Sequence, residues 1–230
     1  MEEVTEALEN RPVEIGDSGP KVAAICVGQG WQYPGVGRDL KNEEIARRIC
    51  DEGTRAIKAS GILSRKIKPN FDLYDLCVNA SERQLGRTEI TQAVTLAISL
   101  AKYHEAMEGG IRPPDFLAGH SVGEYSAACI GGVISQDDAF PLVYQRGKFM
   151  RQSDQGKGRM ISIRGLSLES SGDLLGNVLH HLSLYLSVIN TDDNFVVSGR
   201  IDDIKKLDKA LKALMGGEVK RTILKVGCAA

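Results

Sequence analysis

The 230-residue sequence contains no CxxC pair, and its five cysteines (Cys26, Cys50, Cys77, Cys129, Cys228) are scattered and odd in number. That pattern supports neither a disulfide framework nor a zinc site, so no metal is expected and a reducing compartment fits best. No apolar run approaches the ~20 residues of a membrane span. No strong basic cluster is present and the formal net charge is −1, so neither nucleic acid nor a membrane surface is an expected partner. Internal repeats and low-complexity stretches are also missing. The opening residues, MEEVTEALENRPVEIGDSG, hold six acidic side chains and one arginine, the reverse of a transit peptide or a secretory n-region. The expected location is the cytosol, or an organelle if a leader has been removed.

What is present is the composition of an ordinary globular protein, with 42% hydrophobic and 26% charged residues. A chain of this length buries roughly 70% of its unfolded surface, enough for one core with a smaller lobe attached. Residues 1–20 read as an acidic tail or linker ending in Gly19-Pro20. Val22 to Val27 (VAAICV) is a short apolar run that stops at Gly28-Gln29-Gly30, as a buried strand entering a glycine loop would. Helical spacing covers 43–59 and 91–107. In the second segment Val94, Ala97, Ile98 and Ala101 form one apolar stripe, extended by His104, which reads as a histidine at a helix edge with a satisfied hydrogen bond.

Asp115 to Gly119 predicts a second short strand, and a helical stretch follows through Tyr125, Ala127 and Ala128. Ser135, with Asp138 three residues on, resembles a capping box opening a helix to about Gln152, with Ala139, Leu142, Val143 and Met150 as its apolar stripe. From Lys157 to Val226 the order is strand, helix, strand, strand, helix, strand. This βαββαβ order is the ferredoxin-like arrangement. The expected fold is therefore α/β: a larger hydrolase-like lobe with a parallel sheet over 21–156 and a ferredoxin-like small lobe over 157–226, with 227–230 beginning a return to the large lobe.

Between the second strand and its helix lies Gly119-His120-Ser121-Val122-Gly123, a GxSxG nucleophile elbow in the context that the motif requires. The glycines permit a tight turn that pushes the serine hydroxyl outward, and N–H groups at the helix start can stabilise an oxyanion. Arg146 falls on the apolar stripe of its own helix, at i+3 from Val143 and i+7 from Ala139. A guanidinium there needs either a fixed protein carboxylate or an anionic ligand, for which its planar fork is suited.

GHSVGEYSA at 119–127 resembles the nucleophile motif of the malonyl-CoA:acyl-carrier-protein transacylase family. Gly28-Gln29-Gly30-Trp31-Gln32 is similar to that family's GQGSQ loop, with tryptophan in place of serine. Gly35-Val36-Gly37, Thr91-Gln92, the segment Tyr144 to Met150, and Asn190 followed by Val196-Val197-Ser198-Gly199 extend the likeness in order from Lys21 onward. The resemblance implies Ser121 as nucleophile, the backbone N–H groups of Gln29 and Val122 as oxyanion hole, and Arg146 as partner of a malonyl carboxylate. His120, Gln92 and Asn190 would line the substrate site. The implied partners are malonyl-CoA and acyl carrier protein, in fatty-acid or polyketide synthesis, with no cofactor.

The family's general base is a histidine just past the last strand of the small lobe. This sequence reads Gly227-Cys228-Ala229-Ala230 where that histidine is due, and the expectation is a truncated or incompletely covered form of a longer enzyme. His120 is expected to line the pocket, and His180 and His181 to sit at a helix end. Two alternatives stay open: a serine acyl hydrolase using the same elbow, and an inactive fragment.

Overall fold

The computed structural model describes residues 21–154, 157–215 and 217–224. The acidic segment 1–20, the junction at 155–156, residues 225–226 of the predicted last strand and the segment 227–230 lie outside the described residues.

Strands β1 (Ala23–Cys26) and β2 (Phe116–Gly119) pair in parallel, with Ala23 beside Phe116 and Cys26 beside Gly119. Between them in sequence run helices α1 (Glu43–Ala59), α2 (Leu73–Asn79), α3 (Glu82–Leu85) and α4 (Thr88–Glu108). Their starts follow local chemistry. Asn42 and Asp72 accept hydrogen bonds from N–H groups of the first turns of α1 and α2, and Ser81 and Gln84 close a capping box on α3, each satisfying donors that have no partner inside the helix. After β2 come α5 (Gly123–Ile130) and α6 (Gln136–Asp154). The predicted cap of α6 is present: Ser135 Oγ accepts from Asp138 N at 3.1 Å and donates to the Asp138 carboxylate at 2.6 Å.

Helix α4 departs from the predicted single stripe. Every residue from Thr88 to Ile98 is buried, including Glu89, Gln92 and Thr95, because α1, α2, α3, α5 and α6 all pack against it. On α6 the buried face is Ala139, Phe140, Val143, Tyr144 and Gly147, whereas Leu142, expected on the stripe, is largely exposed. The cause is a close helix crossing at Gly147. A Cβ there would stand 2.5 Å from Glu89 Cα, so the glycine edge faces α4 and Leu142 turns outward. The cysteines, distant in sequence, are not all distant in space: Cys50 and Cys77 place their sulfurs 3.9 Å apart in this core.

The second unit is the βαββαβ order over β3 (Gly158–Arg164), α7 (Leu168–His181), β4 (Tyr185–Thr191), β5 (Asn194–Arg200), α8 (Ile201–Met215) and β6 (Lys220–Ile223). The sheet order is β4-β5-β3-β6, antiparallel throughout, as the ferredoxin-like arrangement requires. Ile161, Ile163, Phe195 and Val197 project onto Leu175, Leu179, Ile204 and Leu207 of the two helices, while Met160 and Val196 form a small cluster apart from them. That division follows from the two-residue side-chain period of strands.

These contacts predict opposite outcomes at two helical glycines. Gly147→Ala drives a Cβ into the α4 backbone and should destabilise by about 1–3 kcal/mol. Gly176→Ala, in α7 with nothing within 4 Å of its Cβ, should stabilise by up to about 1 kcal/mol. Urea midpoints of the two variants check both signs.

Candidate active site

Strand β2 ends at Gly119, and α5 begins four residues later. Ser121 between them holds a left-handed φ of 55°, a conformation that costs on the order of 1–3 kcal/mol in a non-glycine residue. Backbone bonds fix the turn: His120 N donates to Cys26 O at 3.0 Å, Gly123 N to His120 O at 2.9 Å and Glu124 N to Ser121 O at 3.2 Å. Both motif glycines are sterically required. A Cβ on Gly119 would lie 2.2 Å from Gly123 O, and one on Gly123 would lie 2.3 Å from Cys26 O. The helix therefore starts in direct backbone contact with β1 and leaves Ser121 exposed. Among the described residues, no backbone hydrogen bond uses the N–H of Val122 or of Gln29, so both donors remain available to a developing negative charge.

Arg146 reaches the serine from α6. Its Nη2 lies 3.4 Å from Ser121 Oγ, and its guanidinium carbon stands 5.8 Å from the centre of the Tyr125 ring. Its other terminal nitrogen, Nη1, is buried without a hydrogen-bond partner, and among the described residues Arg146 joins no salt bridge. The fixed-carboxylate alternative thus has no carboxylate here. A buried guanidinium nitrogen with an empty donor is unfavourable unless an acceptor arrives. In position and chemistry it fits an anionic ligand beside the hydroxyl.

Other predicted residues are distributed unevenly. His120 places Nδ1 and its carbonyl against Gly28 of the glycine loop. Gln92 is fully buried in α4, with Nε2 directed at Met150 Sδ (3.2 Å) and Oε1 without a partner. Asn190 is exposed on β4, 3.5 Å from Asn194 Oδ1, and none of its contacts leads to Ser121. His180 and His181 occupy the last turn of α7. His104 is edge-on to Tyr103 at 5.7 Å, and burial followed by the nearby Arg48 charge lowers its pKa. All four histidines are described, and no hydrogen bond joins any of them to Ser121. Among the described residues no group of three or more His, Cys, Asp or Glu could hold a metal ion, and no helix is long and apolar enough to cross a membrane.

Sequence reasoning missed the clamp that holds α6 in place. Glu89, 1% exposed, receives Arg87 Nη2 at 2.7 Å and Arg151 Nε at 2.9 Å. Arg151 is five residues past Arg146, so this ion pair fixes the helix that carries the free guanidinium. The only sequence signal was an acid in the first turn of α4 flanked by Arg87, since Arg151 lies 62 positions away. Tyr125 was also missed as the aromatic face beside Arg146, although it stands one helical turn after Ser121.

The chain was compared with known proteins. The family model described as acyl transferase domain matches residues 24–224. Malonyl CoA-acyl carrier protein transacylase of Bacillus subtilis (strain 168) is 30% identical over 195 residues, covering 84% of this chain and 57% of that protein. The protein of the same name from Escherichia coli (strain K12) is 33% identical over 193 residues, covering 83% and 59%. Among solved structures, FabD from Acinetobacter baumannii superposes with a TM-score of 0.75 at 29% identity, over 91% of this chain and 62% of that one. A malonyl-transacylase in complex with its type II PKS acyl-carrier protein gives 0.75 at 28%, over 91% and 64%. The chain thus spans less than two thirds of the length of these relatives.

The Glu89 clamp carries a pH prediction. Burial raises the Glu89 pKa, but bonds from Arg87, from its own backbone N–H and from Arg151 lower it further, leaving it below the usual 4.5. A carboxyl depressed in the folded state contributes stability that is complete above its unfolded pKa and is lost as pH falls through the folded one. Glu89→Gln should therefore lower stability by about 1–3 kcal/mol at pH 7 and flatten the decline below pH 4.5. Denaturant titrations of both proteins across pH 3 to 7 would check it.

Proposed function

The chain belongs to the acyl transferase domain family, and from that membership we propose that it transfers a malonyl group from malonyl-CoA to the phosphopantetheine thiol of an acyl carrier protein through an ester on Ser121. The observation that carries the substrate assignment is the unpartnered Nη1 of Arg146, buried beside Ser121 with no carboxylate among the described residues to neutralise it. The names of the relatives, malonyl-CoA transacylases from bacteria and one bound to a polyketide carrier protein, support the same reading.

In this mechanism Ser121 Oγ attacks the thioester carbonyl, and the N–H groups of Val122 and Gln29 receive the oxyanion. Coenzyme A leaves as its thiol, and the carrier thiol attacks the seryl ester in the second half-reaction. Both terminal nitrogens of Arg146 hold the malonyl carboxylate as a fork, which fixes the acyl group over the serine. His120 lines the site, and Gln92, buried in α4, supports it through its contact with Met150 of α6. Asn190 would join it only through a contact that bridges the two units. The proton that leaves Ser121 passes to the departing thiolate, and in the second half-reaction the carrier thiol's proton returns to the serine oxygen; for these proton transfers the described residues supply no group. The four described cysteines are thiols, which suits a reducing compartment, the cytosol in the first place.

A second reading, a non-catalytic member of the family, is favoured by one observation, the lack of a histidine partner for Ser121 among the described residues. Intact-mass measurement after incubation with malonyl-CoA separates the two. Transfer chemistry predicts one malonyl adduct that is absent from Ser121→Ala and discharged by carrier protein. No adduct, with Ser121 intact, would support the non-catalytic reading, and discharge by water alone would indicate a hydrolase.

A further inference from the structure

The glycine loop that offers the Gln29 N–H to the site is tied down at a single point. Among the described residues, the stretch 27–32 makes one hydrogen bond: Gly30 N donates to Oε1 of Gln32 at 2.8 Å. The other restraints are steric and act at the loop's ends. Gly28 is pressed against the elbow, where a Cβ would meet Nδ1 and the carbonyl oxygen of His120 at 2.7 Å. Trp31 packs against the core of the large unit. Gly30 lies between these anchors at a φ of 122°, a value that glycine adopts far more readily than other residues, with nothing within 4 Å of its Cβ position. Packing therefore fixes the two ends of the loop and leaves its middle open.

Peptide units are rigid planes. The Gln29 N–H belongs to the plane shared with Gly28 and the Gly30 N–H to the next one, so the φ and ψ of Gln29 alone separate the free donor from the plane that Gln32 holds. Glycine at position 30 lets this plane rotate at little cost unless a bond ties it. The Gln29 side chain does not supply that tie, because its Nε2 is buried without a hydrogen-bond partner. We propose that Gln32 is a positioning residue for acyl transfer: its side-chain carbonyl locks the Gln29–Gly30 peptide and so aims the Gln29 N–H at the oxygen that becomes negative when Ser121 attacks. The proposal rests on the assignment of Ser121 as nucleophile and adds the device that orients half of its oxyanion hole. An oxyanion donor acts through preorganisation, and the contact of Arg146 with an acyl carboxylate does not pass through this loop. Loss of the Gln32 bond should therefore slow acylation equally for charged and uncharged acyl groups.

The test compares the 230-residue chain with Gln32→Met, which keeps the length and loses the strong acceptor, and with Gln32→Glu, which keeps the acceptor. Two amides read the loop without reference to activity. In Gln32→Met, hydrogen exchange at Gly30 should accelerate roughly tenfold, and the NMR order parameter of the Gln29 amide should fall from about 0.85 toward 0.6. In Gln32→Glu both should stay near their parent values. Acylation of Ser121, followed by intact mass, should slow by about 10- to 100-fold in Gln32→Met with malonyl-CoA and acetyl-CoA alike, at unchanged half-saturating concentration and thermal midpoint. A Gln29 amide as rigid in Gln32→Met as in the parent overturns the proposal. So does a slowing confined to malonyl-CoA, or one matched by a lower thermal midpoint. A parent that forms no adduct removes the acyl-transfer reading instead, and the two amides then decide whether Gln32 holds the loop.

Discussion

The first turn of α5 touches the backbone of β1 with no side chain between them. Gly123 lies where any Cβ would meet the Cys26 carbonyl at 2.3 Å, and Gly119 lies where one would meet Gly123 itself. This contact forces the chain to reverse within four residues. It places Ser121 at φ 55° and leaves the Val122 N–H without an internal acceptor. The strained serine, the available donor and the exposed hydroxyl therefore have one steric cause, and the parallel pairing of β1 with β2 sets the distance at which it acts.

A second constraint brings Arg146 to that serine. Helix α6 must cross α4 closely, because Gly147 presses on Glu89, and it is tied there by the Arg151–Glu89 ion pair. Two neighbouring arginines of α6 are thus treated oppositely. Arg151 is neutralised by a buried carboxylate, whereas among the described residues Arg146 has a long contact to Ser121 and the face of Tyr125. Proteins seldom leave a buried guanidinium nitrogen without an acceptor. Here the unsatisfied nitrogen adjoins the nucleophile, and a carboxylate carried by the acyl group would complete it.

The parts of this arrangement that depend on neighbours in sequence were legible there. The elbow, the serine cap of α6 and the βαββαβ order all rest on residues within a few positions of one another, and each has a mechanism tied to its spacing. The position of Arg146 on an inward-facing stripe was visible too, but not whether a protein carboxylate met it. The buried carboxylate that does pair with α6, Glu89, meets Arg151 and lies 62 residues from it in sequence, a separation no local pattern reveals. The same long-range packing explains why the polar residues Thr88, Glu89 and Thr95 concealed the all-round burial of the first half of α4, and why Leu142 left its predicted face. Asn190 was placed by motif resemblance alone, and no contact in the fold links it to Ser121.

The most direct test of the central claim is equilibrium binding of malonyl-CoA and acetyl-CoA to the Ser121→Ala protein, which cannot be acylated at that position, with and without Arg146→Ala. If the free guanidinium takes the acyl carboxylate, malonyl-CoA should bind more tightly by on the order of 100-fold, equivalent to ~3 kcal/mol, and the preference should vanish with Arg146→Ala. Equal affinities for the two thioesters, or a malonyl preference that survives the loss of Arg146, would contradict the account.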